Sequence, residues 1–148
     1  LYTDNCILNS VLNIKYSAAQ VADIKIESNI FVPKYMNIDY GDMGVLFGNL
    51  LDNAIEANQG VDRKKRWINV SVKYEEHILI INIKNSKIRG SRRKKKGYLN
   101  HGIGLNSVKQ IVEKFNGIVE VQDFGEMYEV SAILYGICDD KDLGKSVL

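Results

Sequence analysis

Gly48-Asn-Leu-Leu-Asp-Asn-Ala-Ile-Glu-Ala57 is the stretch on which the reading of this chain turns. On a helix of 3.6 residues per turn, Leu46, Phe47, Leu50, Leu51, Ala54 and Ala57 form one apolar stripe. Asn49 and Asn53 are one turn apart and stack on a single face at the margin of that stripe. An amide in such a place needs a hydrogen-bond partner, because an unsatisfied one costs roughly 1–3 kcal/mol. One asparagine there would be an ordinary cap or a binder of water. Two in register make a paired amide site. Asp39 and Asp42 stand where an N-cap belongs, so the helix is expected from there to about Asn58.

Upstream, residues 4–21 read as a helix. Ile7, Val11, Ile14, Ala18 and Val21 recur at helical spacing, with Leu8 and Leu12 widening the stripe. That is also the spacing of a helix–helix seam. Residues 24–30 alternate like a strand, and Pro33 begins an irregular link. Downstream, residues 67–74 alternate with Ile68, Val70, Val72 and Tyr74 on one face, and Glu75-Glu76-His77 turns them into a second strand, 78–85. A third helix is expected from about Gly104 to Phe115, stopped by Asn116-Gly117. Residues 118–123 and 127–135 make a closing hairpin. Helices alternating with a largely antiparallel sheet point to a two-layer α/β (α+β) sandwich, its mixed sheet covered by helices on one face.

The chain has 148 residues, 45% hydrophobic and 26% charged, which suits one hydrophobic core. No apolar run is long enough to span a bilayer, and the start lacks the pattern of a signal peptide. A first residue of Leu1 rather than methionine raises the expectation of an excised fragment. Cys6 and Cys138 match no metal or redox spacing and read as indifferent thiols in a reducing compartment. The net charge of +2 conceals an uneven distribution: Lys87, Arg89, Arg92, Arg93, Lys94, Lys95 and Lys96 place seven positive charges within ten residues, on an otherwise acidic body. Such a block is ordinarily a solvated loop. A nucleic-acid patch would need an aromatic platform, and only Tyr98 is near. A connection as long as 86–101 inside a compact domain tends to be functional.

The basic segment leads into His101-Gly-Ile-Gly-Leu-Asn106. Glycines before a helix are more often plain turn residues, so the motif is weak alone. Its position after a basic loop and before an amphipathic helix strengthens it. Free N–H groups of Gly102, Ile103, Gly104 and Leu105 at that helix start are expected to hold phosphate oxygens.

The string Gly48–Ala57 resembles the N box of the GHKL ATPases, a superfamily of histidine kinases, gyrase-type topoisomerases, heat-shock chaperones and mismatch-repair proteins. Gly102 to Gly117 resembles the second glycine box of histidine kinases and its following helix. The order of N box, two strands, lid and glycine box agrees, and the likeness covers most of residues 39–134. The resemblance implies the Bergerat fold, with 86–101 as the ATP lid and ATP and Mg2+ as cofactors. It assigns Asn53 to the magnesium that bridges the nucleotide phosphates, a role suited to a neutral amide oxygen. In hydrolysing branches the position one turn earlier carries the water-activating glutamate. Here it is Asn49, and an amide cannot act as a general base, which favours the kinase branch.

Most histidine kinases carry an Asp-x-Gly-x-Gly box whose aspartate accepts from the adenine amino group. This strand instead ends Ile81-Asn-Ile-Lys-Asn-Ser86. Asn85 shares parity with Leu79, Ile81 and Ile83, so its carbonyl emerges on their face and is the expected adenine contact. Loss of the aspartate box, together with the N box and the His-Gly-Ile-Gly-Leu motif, resembles the AgrC-like receptor kinases that sense peptide pheromones. Residues 1–22 then resemble the end of a dimerisation module, 23–138 the ATP-binding domain and 139–148 a polar tail. His77 reads as a surface residue in a strand turn and His101 as part of the lid, so the phosphoacceptor histidine is expected upstream of this chain. The resemblance further implies a response regulator as partner, homodimerisation of the intact protein through the N-terminal helical module, no nucleic acid, and a site at the cytoplasmic face of a bacterial membrane. The alternative is a degenerate GHKL module, a phosphotransferase or anti-sigma-like scaffold without kinase activity.

Overall fold

The computed structural model describes residues 2–90 and 95–140, with the backbone alone for 95–103. Arg92, Arg93 and Lys94 of the basic run and residues 141–148 of the tail lie outside the described residues. The elements are α1 (Cys6–Val21), β1 (Lys25–Phe31), α2 (Tyr40–Ala57), a 3-10 turn (Arg63–Lys65), β2 (Trp67–Glu75), β3 (Ile78–Ser86), α3 (Lys95–Lys114), β4 (Ile118–Asp123) and β5 (Met127–Leu134).

The sheet runs β1-β2-β3-β5-β4. β1 and β2 pair in parallel because α2 lies between them in the chain and supplies the crossover that parallel neighbours require. The remaining pairs are antiparallel, and the two hairpins turn where the sequence places them. Glu76 and His77 both take positive φ at the β2–β3 turn. His77 is exposed, and its carbonyl accepts from the Ile137 amide at 2.9 Å.

One face of the sheet carries Ile68, Val70, Val72, Leu79, Ile81, Ile83, Val130, Ala132 and Leu134, all buried. They meet Leu46, Phe47, Leu50, Leu51 and Ala54 of α2, Val108, Ile111 and Val112 of α3, and Leu8, Leu12 and Ala19 of α1. The opposite face is polar over β2 and much of β3, with Asn69, Ser71, Asn82 and Lys84, and carries an apolar row of Ile80, Ile133 and Ile118 in register across β3, β5 and β4. Two layers and one core follow, as the alternation predicts.

Two expectations need correction. On α1 the buried residues are Leu8, Asn9, Leu12 and Ala19, whereas Ile14 is 66% and Val21 83% exposed. Leu8, Leu12 and Ala19 point into the core, Ile7 and Val11 pack partly buried against it, and the later members of the expected row, Ile14, Ala18 and Val21, are left on the surface. Further along, α3 begins at Lys95 and not near Gly104, so the glycines lie within the helix. Where α3 ends, the prediction holds. Asn116 takes φ 55°, and the Gly117 amide reaches back to the Val112 carbonyl at 3.0 Å, the bond of a Schellman stop. At the other margin, the start of the expected tail is tied down: Asp140 Oδ1 accepts from the Tyr35 amide at 2.7 Å.

Candidate functional site

The N-cap of α2 is Asp39, whose carboxylate accepts from the Gly41 amide at 3.1 Å. From that start the helix directs its rows as the periodicity demands. Asn53 is 7% exposed, sitting at the rim of the core, and Asn49 is half-buried beside it. The Asn49 row faces α3. A Cβ placed on Gly104 would stand 3.8 Å from the Asn49 side-chain amide, an ordinary contact. Two motifs far apart in sequence therefore meet across one helix–helix interface.

The third candidate, Asn85, stands on the sheet. It is 1% exposed at the end of β3, on the helix-covered face, and Nδ2 donates to the Ser86 carbonyl at 3.0 Å. That bond sets which way round the amide lies, and Oδ1 is left buried without a hydrogen-bond partner. An orphaned buried acceptor is uncommon, and it is the chemistry that a ligand donor such as an exocyclic amino group would satisfy. Next to it, Ser86 Oγ accepts from the Trp67 amide at 3.0 Å and donates to Asn58 Oδ1, while Asn58 Nδ2 donates to the Ala54 carbonyl at 3.0 Å. This small network ties the end of β3 to the end of α2. Nothing in the local pattern of Asn58 or Ser86 announces it.

The glycine motif differs from expectation in its conformation. Gly102, Ile103, Gly104 and Leu105 lie beyond the first four residues of α3, so their amides belong to the helix ladder rather than standing free. Gly97, Gly102 and Gly104 each cost a helix roughly 1 kcal/mol relative to alanine, which makes this the weakest-held part of α3. The side chains of Gly102's neighbours in 95–103 lie outside the described residues.

Of the seven basic residues, Lys87 and Arg89 have described side chains, and both lie at the base of the loop. Lys87 Nζ pairs with Asp123 at 3.1 and 3.2 Å and donates to the Gly125 carbonyl at 2.9 Å, while its amide donates to the Glu126 carbonyl at 3.1 Å. Gly125 takes φ +93°, and the Arg89 guanidinium lies within 2.9 Å of where a Cβ would be. The β4–β5 turn thus holds the start of the segment that sequence reading treats as one solvated block. The sequence signal, an Asp-x-Gly turn opposite two cations, is visible only once β3 and β5 are known to be neighbours.

The model of the GHKL domain family matches residues 38–134. The chain is 32% identical over 95 residues to the probable C4-dicarboxylate sensor kinase of Bacillus subtilis (strain 168), a match over 57% of this chain and 18% of that protein. The chain therefore spans less than a fifth of that relative. Among solved structures, the catalytic domain of the histidine kinase ThkA superposes with a TM-score of 0.68 at 15% identity, over 88% of this chain and 90% of the other. Acinetobacter baumannii histidine kinase AdeS gives 0.62 at 16% identity, over 88% and 64%. Full-length ShkA in complex with AMPPNP gives 0.65 at 14%, over 90% and 30%. At such identities the superpositions speak for the fold, and the family match speaks for the lineage. With α2 to β5 matched, and the asparagine helix packed against the glycine helix as found here, this chain belongs to the GHKL domain family and has the α/β fold of histidine kinase catalytic domains.

Proposed function

We propose that the chain is the ATP-binding catalytic domain of a two-component sensor histidine kinase, which holds Mg-ATP for transfer to a histidine outside these residues. The observation that carries this reading is the approach of Asn49 to Gly104, which brings the asparagine row of α2 and the glycine motif of α3 to one interface. Among the described residues no group of three or more His, Cys, Asp or Glu is arranged to hold a metal. Magnesium here would take its ligands from Asn53, phosphate oxygens and water, and would neutralise phosphate charge when bound. Asn49 can hold water or take a place in the magnesium shell but cannot deprotonate water, so the site retains ATP rather than hydrolysing it. Asn85 Oδ1 accepts from the adenine amino group. Gly102 to Leu105 offer their amides to phosphate once the preceding turns of α3 unwind.

In the intact protein the acceptor imidazole is the nucleophile on the γ-phosphorus, and the chain supplies positioning. The similarity to a sensor kinase supports a response regulator as partner, homodimerisation and membrane anchoring of the whole. The exposed α1 row with Ile14 and Val21 is the surface we assign to the dimer seam, with residues 1–22 as the end of that module. No described helix is long and apolar enough to cross a membrane, so an anchor would lie outside these residues. Asn85 in place of the aspartate box, with the Leu50–Ala57 string, supports the peptide-sensing subfamily.

Calorimetric titration with Mg-ATP tests the central claim. Wild type should bind, and Asn53→Ala should bind at least about tenfold more weakly, the scale of one lost charged contact. Equal binding by the two proteins, or none by wild type, removes the assignment.

A further inference from the structure

α2 presents three rows of side chains. One is the core stripe, one is Asn49 with Asn53, and the third, Gly48 with Asp52, lies against α1. Lys15 of α1 crosses that third row. Its Cε passes 3.7 Å from where a Gly48 Cβ would stand, and its Nζ reaches Asp52 Oδ1 at 2.7 Å. Both side chains are partly exposed, at 26% and 45%. Such pairs add little to stability, so the interest of this one lies in its location.

Asp52 is the chain neighbour of Asn53 and is three residues from Asn49, a separation that places Cβ atoms roughly 5–6 Å apart on a helix. A bare carboxylate there would stand beside the row that meets the phosphates. The aligned ladder of α1 keeps Lys15 in reach: Leu8, Leu12 and Ala19 are buried on the same side and fix how the helix sits on α2.

We infer that Lys15 is a positioning residue for the nucleotide site. By pairing with Asp52 it removes a repulsive charge from beside Asn49 and Asn53, and because it is carried on α1 it makes nucleotide affinity depend on how α1 is seated. This rests on the nucleotide reading above. Sliding or rotating α1 on α2 would free the Asp52 carboxylate without touching the site itself.

The test is Mg-ATP titration of wild type, Lys15→Met, Asp52→Asn and the double variant, with Asn53→Ala measured alongside. Methionine keeps the stem that lies over Gly48 and deletes the charge. Lys15→Met should weaken binding about three- to tenfold, an effect of one unscreened charge at partly solvated range that shrinks as salt is raised. Asp52→Asn should bind at least as well as wild type, and the double variant should return to within about twofold of it. A purely structural role for Lys15 would leave the double variant as weak as Lys15→Met, and that result overturns the inference. So does unchanged affinity in Lys15→Met while Asn53→Ala is impaired, which spares the nucleotide reading. Absence of Mg-ATP binding by wild type overturns both.

Discussion

Asn85 donates through Nδ2 to the Ser86 carbonyl and leaves Oδ1 buried with nothing to accept from. Filling that vacancy with an adenine amino group is worth about 1–3 kcal/mol, the usual cost of an unmade buried bond. Asn85→Ala should therefore weaken ATP about tenfold or more, and because it also deletes the buried Nδ2 bond to the Ser86 carbonyl it should lower the thermal midpoint as well. GTP, which offers an acceptor where adenine offers a donor, should bind wild type poorly and gain relative to ATP in the variant. Competition titration of the two nucleotides reads both effects. The parity of Asn85 was legible from the alternation Leu79, Ile81, Ile83, since strand side chains repeat every two residues. The direction of its amide was not, because that depends on a carbonyl whose position the strand end decides.

At the scale of elements, α3 carries two different glycine arguments. Gly117 is required by contact: a Cβ there would lie 1.9 Å from the Ile133 carbonyl oxygen. Gly117→Ala should destabilise the domain by about 2 kcal/mol or more, seen as an earlier urea midpoint, because backbone and not a flexible side chain must give way. Gly104 has room for a methyl group against Asn49. Gly104→Ala should strengthen α3 by up to about 1 kcal/mol and, by resisting unwinding, weaken Mg-ATP binding. Far-UV circular dichroism and calorimetry on the same sample measure the two opposed outcomes. Tighter binding in Gly104→Ala would show that the amides are not recruited by unwinding. The C-terminal stop of α3 was readable from Asn116-Gly117, whereas its start was not. Glycine content argued for a loop at Gly102–Gly104, and the amphipathic face of the following turns carried the helix through it.

For the molecule as a whole, α1 matters most, since it shares the core with α2. Leu12, fully buried, and Ile14, exposed, are two residues apart and should behave oppositely. Leu12→Ala should cost about 2–5 kcal/mol of unfolding free energy, and Ile14→Ala less than about 0.5 kcal/mol. Equilibrium denaturation of both variants at low protein concentration checks this, and equal losses would show that the outer row is buried in solution.

The sequence by itself determined the kind and order of the elements, most of their faces and the two motifs, because the periods of 2 and 3.6 are local geometry and leave their mark on any window of residues. The asparagine row of α2, the β2–β3 and β4–β5 hairpins and the inward parity of Asn85 all follow from that. The tertiary structure decided what periodicity leaves degenerate. It selected the Leu8–Leu12–Ala19 row of α1 over the overlapping row with Ile14, set Gly104 against Asn49, and brought Lys15 to Asp52 and Lys87 to Asp123. Each of these is a contact between distant segments, chosen by the burial of the whole core, and no short stretch of chain contains the information to choose it.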